Sequence, residues 1–240
     1  MLIPSSAAPL AAADYIPHLP NAGRRSFVKY AGAVAATLTL ASCSKHNEVP
    51  GTVNIGSADG GALNFAYAQE QLQAAFYAQV LAGAYFGNLA VGSAEQQVFA
   101  ALALHQRIYV DLLKATIIQG KAAPIQALTA DFSAVNFSSR QDILRTAAQL
   151  EDLAVAAYNG VARFFTVPAY LLLAAKIVSV KARHAALVRD LLTPNSFVAN
   201  DVVTLTEGTS LERAQTPAQV AAAANNFLAT GSKLNVINLA

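Results

Sequence analysis

Four long segments of helical composition, joined by two short connections around one long one, predict an all-α fold, a four-helix bundle with a long crossover. The segments are rich in alanine, leucine and glutamine and lack the alternation of β-branched residues that marks strands. They fall at residues 59–86, 94–119, 139–165 and 168–192. Ser93 with Gln96, and Ser139 with Asp142, have the spacing of capping boxes and mark the starts of the second and third helices. Pro168 stands where a first-turn proline opens the fourth. Gly87 and Gly92 bracket the first connection, and Gly120 to Asn136, with Pro124, form the longer one. Beyond Pro194 the chain turns β-branched and irregular, and Thr216-Pro217-Ala218-Gln219 signals a last short helix to about Ala229. The bundle is thus expected over 59–192, followed by a C-terminal extension over 193–240.

The 240 residues are 55% apolar and 12% charged, which excludes a disordered, solvating chain. A formal charge of +2 with no basic stripe leaves no electrostatic footprint for nucleic acid. No Gly-rich phosphate loop, Ser-His-Asp arrangement or cysteine nucleophile stands out; Gly60-Gly61 lacks the rest of a nucleotide fingerprint.

The single cysteine, Cys43, excludes a disulfide framework within the chain. Before it come the basic Gly23-Arg24-Arg25-Ser26-Phe27-Val28-Lys29, the apolar stretch Tyr30 to Leu40, and then Leu40-Ala41-Ser42-Cys43. That order is a basic region, an apolar region and small residues at a cleavage point. The apolar region falls short of the about 20 residues that span a bilayer. Arg24-Arg25 with the residues after them resemble a twin-arginine export signal, and Leu-Ala-Ser-Cys resembles a bacterial lipobox. The expectation is a signal peptide over 1–43, a tether over 44–58, and an exported periplasmic or cell-envelope lipoprotein held to a membrane by lipid at Cys43. No later segment reads as a membrane span, since Lys176 and Lys181 interrupt the most apolar one.

Each helix carries an apolar stripe interrupted by polar residues. Glu70 lies among Leu63, Ala66, Tyr67, Ala74 and Tyr77, and Glu151 lies among Leu144, Ala147, Ala148, Val155 and Tyr158. A bare carboxylate facing a core is costly unless paired, protonated or bound to a metal. The two helices also match each other, since Glu70-x-Leu72-x-x-Ala75-x-Tyr77 parallels Glu151-x-Leu153-x-x-Ala156-x-Tyr158, an internal duplication. The second and fourth helices each place two polar residues three apart on the inner face, Gln106 with Tyr109 and Lys181 with His184. Tyr67, Tyr77 and Tyr158 read as core aromatics, and Arg107 and Arg183 as residues that snorkel to the surface. His105 lies about 100° around the helix from Gln106 and is expected to face a neighbour or solvent and not the site.

Leu63-Asn64-Phe65-Ala66 leading to Glu70, Leu150-Glu151 leading to Ala157-Tyr158, and Val180-Lys181-Ala182-Arg183-His184-Ala185-Ala186 together resemble the ferritin-like family. The likeness is greatest to its exported bacterial branch, related to plant desiccation-associated proteins, and the Thr216-Pro217-Ala218-Gln219 tail fits that branch. The resemblance implies a di-metal centre with a Glu from each odd helix and Glu-x-x-His from each even one. Its ligand positions fall on Glu70, Gln106, Tyr109, Glu151, Lys181 and His184, of which only Glu70, Glu151 and His184 keep a ligand identity. Gln106, Tyr109 and Lys181 replace a bridging glutamate, a histidine and the other bridging glutamate. The expectation is a degenerate site without cofactor, with Lys181 bridging Glu70 and Glu151, in a non-catalytic protein that is structural or stress-protective. The alternative is an oxidase or catalase that keeps iron or manganese on Glu70, Glu151 and His184. Helix faces low in charge permit a homodimer, and the segment Ser196 to Gln215 is a candidate surface for an envelope protein partner.

Overall fold

The computed structural model describes residues 49–206 and 209–239; Arg24, Arg25 and Cys43 of the expected signal peptide lie outside them. A short strand β1 (Thr52–Asn54) precedes helices α1 (Ala58–Ala82), α2 (Ala84–Gly87), α3 (Ala94–Gln119), α4 (Arg140–Val161) and α5 (Pro168–Leu192). Strands β2 (Val203–Thr206) and β3 (Thr209–Glu212), helix α6 (Pro217–Ala224) and strand β4 (Lys233–Asn235) follow. The helices α1, α3, α4 and α5 form the bundle: α1 packs along α3, α4 along α5, and α1 against α4. Among the described residues, no helix is long and apolar enough to cross a membrane.

The helix starts follow local chemistry. The Ser93 and Ser139 side chains accept from the backbone N–H of Gln96 and Asp142, which satisfies donors that have no partner within the helix. Pro168 opens α5, and Thr216 with Gln219 completes a reciprocal capping box on α6. The first helix is shorter than its composition predicts. It breaks at Gly83, where a side-chain Cβ would lie 2.8 Å from the carbonyl oxygen of Phe137. The crossover passes close there, and Tyr85 N–H donates to that carbonyl at 3.2 Å. The third helix tightens after Val161 into a 3-10 turn, Ala162–Phe164. The Asp59 carboxylate then pins the connection by accepting from the N–H groups of Thr166 (2.8 Å) and Val167 (3.3 Å).

Side chains of α1 hold the crossover. Asn64 donates to Ala123 O and accepts from Ile125 N–H, both at 3.0 Å, and Gln71 accepts from Leu128 N–H at 2.8 Å. Phe132 of the crossover then meets Phe76 edge to face at 5.4 Å, in the same cluster as Tyr77.

The C-terminal extension is more ordered than its composition suggests. β2 and β3 form an antiparallel hairpin, and β4 runs back to pair in parallel with β1, Val53 opposite Leu234. The chain crosses α4 where Gln215 N–H donates to Ala156 O at 3.1 Å. Gly160 makes that crossing possible, because a Cβ there would fall 1.7 Å from Gln215 O.

The tether expected over 44–58 is corrected in its second half. Residues 52–54 form β1, and Ile55 is fully buried in the main core cluster. The reason is physical: Val53 and Ile55 bury apolar surface that a tether would leave in water. Ile55→Ala is expected to lose about 2–5 kcal/mol in urea unfolding, in the range for a large-to-small core change. An unchanged midpoint would show that this segment is detachable.

Candidate functional site

The centre of the bundle gathers one polar cluster from all four long helices. Glu70, Gln106, Glu151 and Lys181 have no solvent exposure, and Gln73 and His184 are also buried. The 3.6-residue period places Glu70, Gln73 and Tyr77 on one face of α1, and Glu151 and Tyr158 on one face of α4.

Lys181 Nζ is the hub. It lies 2.6 Å from Glu70 Oε2, with the geometry of an ion pair and not of an aligned hydrogen bond. It donates to Gln73 Oε1 at 2.5 Å and also to Gln106 Oε1. Tyr109 offers its ring face, 5.5 Å from Nζ, in a cation–π contact. Gln106 passes the network on, its Nε2 donating to Glu151 Oε1 at 3.1 Å. The expected bridge is therefore corrected. Lys181 is ion-paired with Glu70 and is linked to Glu151 through the Gln106 amide, whose oxygen accepts from Nζ while its nitrogen donates to Glu151.

The internal duplication reappears as a crossed pair of hydrogen bonds. Tyr77 of α1 donates to Glu151 of α4 at 2.7 Å, and Tyr158 of α4 donates to Glu70 of α1 at 2.8 Å. Burial first, and then the carboxylate each one faces, push both phenols well above their ordinary value, so they remain donors. Tyr77 and Tyr158 are thus part of the centre and not merely core aromatics. Tyr67 is buried in a second apolar cluster with Leu63 and Ile177.

The two carboxyls differ. Complete burial raises Glu70 above its ordinary value despite Lys181 and the Tyr158 hydroxyl, and the charge of Glu151 adds to the rise. Burial acts the same way on Glu151, but Lys181, His184 and Tyr77 together outweigh it and hold that carboxyl below its ordinary value. Glu151 is the firmer anion of the pair.

His184 sits with Nδ1 3.8 Å from Glu151 Oε2, and its Nε2 shares a 2.9 Å hydrogen bond with Nδ1 of His105. The two rings stack at 5.1 Å. The expectation that His105 faces away from the site is corrected: its ring reaches across to His184 of the adjacent helix and joins the edge of the centre. Burial, with His184 and Lys181 nearby, lowers its pKa. Arg107 and Arg183 are exposed, as snorkelling side chains are.

A bundle with a crossover after its second long helix and inward carboxylates on opposed helices defines a class of all-α protein. The chain belongs to the ferritin-like domain family, whose model matches residues 58–194. No curated protein matches it significantly in sequence.

Members of that fold carry metals on inward Glu and His residues, so the donors here must be weighed against that use. Two divalent ions need several hard anionic oxygens around them. The centre offers two carboxylates, and the ammonium of Lys181 stands against one of them. Among the described residues, no group of three or more His, Cys, Asp or Glu side chains is placed to hold a metal ion. Two carboxylates beside a buried ammonium are fewer anionic donors than two divalent ions use.

Tyr77→Phe removes a hydroxyl that favours the ionised form of Glu151. It is expected to cost about 1.5–3 kcal/mol at neutral pH, as for a hydrogen bond to a charged group. The sign follows from the lowered folded-state pKa: the loss is full above the unfolded value of 4.5 and shrinks as pH falls through the lower folded value. Urea unfolding of parent and variant from pH 7 down to pH 3 checks this; a loss that grows on acidification would contradict it.

Proposed function

We propose that the protein is a non-catalytic member of the ferritin-like family in which the Lys181 ammonium takes the electrostatic place of a metal pair. The observation that carries this reading is the contact of buried Lys181 Nζ with Glu70 Oε2 at 2.6 Å while it donates to Gln73 and Gln106. One cation there offsets a charge that would otherwise be buried bare, and a second cation beside it would be repelled. Removing one member of such a pair costs about 3–5 kcal/mol, so Lys181 acts as a structural element of the core.

On this reading the protein is exported and lipid-anchored at the cell envelope, and its role there is structural or stress-protective. Support for export is the order of Arg24-Arg25, an apolar region and the Leu-Ala-Ser-Cys run ending at Cys43. Support for stress protection is the resemblance to the desiccation-associated branch alone.

A second reading, a metal-dependent oxidase or catalase with one iron or manganese on Glu70, Glu151 and His184, has one observation on its side. Glu151 Oε2 and His184 Nδ1, both buried, have no hydrogen-bond partner among the described residues and lie 3.8 Å apart.

Metal content separates the two. The protein is purified without chelator, offered Fe²⁺ and Mn²⁺ anaerobically, desalted and assayed by elemental mass spectrometry beside a Lys181→Glu variant. The expected result is negligible metal in the parent and a gain in the variant. Near-stoichiometric metal in the parent, lost in Glu70→Ala or His184→Ala, would overturn the non-catalytic reading.

A further inference from the structure

We propose that Lys181 and Gln106 become joined by an isopeptide bond inside the folded bundle, with Glu70 as the proton carrier. A buried primary amine in contact with a buried carboxamide and a buried carboxylate is the set of groups that amide exchange needs. Lys181 Nζ touches Gln106 Oε1 and lies 2.6 Å from Glu70 Oε2, and all three residues have no solvent exposure. Burial keeps water, the competing nucleophile, away from the Gln106 carbonyl. Holding amine and amide together in one packed site replaces a bimolecular encounter, an advantage worth effective concentrations of about 10⁵ M or more when the geometry is right.

The step balances without any oxidant or cofactor. Glu70 takes a proton from the Lys181 ammonium and leaves a neutral amine with a free lone pair. The amine, whose N–H donates to Gln106 Oε1, turns its lone pair onto the carbonyl carbon Cδ and forms the Nζ–Cδ bond while the C=O π pair moves onto Oε1. The second proton on nitrogen passes to Nε2, the pair on Oε1 re-forms the carbonyl as the Cδ–Nε2 bond breaks, and ammonia leaves. The products are a secondary amide, one ammonia and a Glu70 that holds the first proton.

Gln73 also touches Nζ, at 2.5 Å, but its Nε2 is bound to the backbone carbonyl of Leu150 at 2.8 Å. The Nε2 of Gln106 instead rests on the Glu151 carboxylate at 3.1 Å, which fixes the amide with its oxygen toward Lys181. The ammonium holds the place of the metal pair as the chain folds; the product then replaces it with a neutral amide beside a protonated Glu70, so neither group remains a buried charge. It also ties α3 to α5, which belong to different helix pairs of the bundle.

The inference rests on the metal-free reading of the centre, and both are measured on one sample of the full chain. Denatured intact mass is expected to fall below the sequence mass of the purified species by about 17 Da, one ammonia for one acyl transfer to an amine. Trypsin is expected to leave Lys181 uncut and to yield one linked species joining residues 46–107 to residues 177–183. Full mass with normal cleavage at Lys181 in metal-free protein would overturn the cross-link alone. Bound metal in the parent would overturn the metal-free reading as well. In Gln106→Leu the ammonia loss is expected to vanish; a link that persists there would lie on Gln73 and overturn the assignment. Glu70→Gln is expected to keep the ammonia, and an unchanged link in that variant would remove Glu70 from the step. The parent's mass decides the matter even where a variant fails to fold.

Discussion

Two carboxylates at the centre of a helical bundle impose a condition on everything around them: each must be given charge and hydrogen bonds that water would otherwise supply. Glu70 receives Lys181 and the Tyr158 hydroxyl; Glu151 receives Gln106, Tyr77 and the nearby His184 ring. Each donor comes from a different helix than the carboxylate it serves, so the polar centre also fixes the relative register of the helices. A slide of α1 against α4 would break both tyrosine contacts together. The specificity of the pairing, more than its net energy, is what a buried network of this kind supplies.

Around that centre the connections are tied to the bundle and not left to solvent. Asn64 and Gln71 hold the crossover, Asp59 holds the turn before α5, and the C-terminal extension returns to pair β4 with β1. Arg189 of α5 reaches both Asp152 of α4 and Asp201 ahead of the hairpin, the first at 3.0 Å and the second at 2.5 Å. The connections are therefore held by side-chain to backbone bonds, strand pairing and the Arg189 ion pairs, while the middle of the bundle is held by the charged network.

The four long helices were legible because their signals are local. Capping residues, Pro168 and the apolar period all lie within a turn or two of the boundaries they set. Gly83 was less legible, since the break there depends on Phe137, more than fifty residues away in the chain. Strand β1 offered almost no signal: three residues whose partner, Lys233–Asn235, lies at the far end of the sequence. In the centre, Glu70, Gln106, Tyr109, Glu151, Lys181 and His184 do converge, as their helical phase implies. Gln73 stands three residues after Glu70 on the same face, so the spacing carries its place in the centre although its chemistry alone does not mark it. In the sequence Tyr77 and Tyr158 read as core aromatics, because one sequence does not show which acceptor a phenol faces across the bundle. His105 was assigned by angle alone, and an imidazole at that angle reaches the adjacent helix.

Which species occupies the space beside Glu70 decides the chemistry of the centre. Crystals of protein offered Fe²⁺ and Mn²⁺ anaerobically, with anomalous diffraction recorded above each metal's absorption edge, test this most directly. The expected result is ordered side-chain density for Lys181 lying against Glu70 and meeting Gln106, with no anomalous peak in the bundle. An anomalous peak ligated by Glu70, Glu151 and His184, with Lys181 swung away, would contradict it.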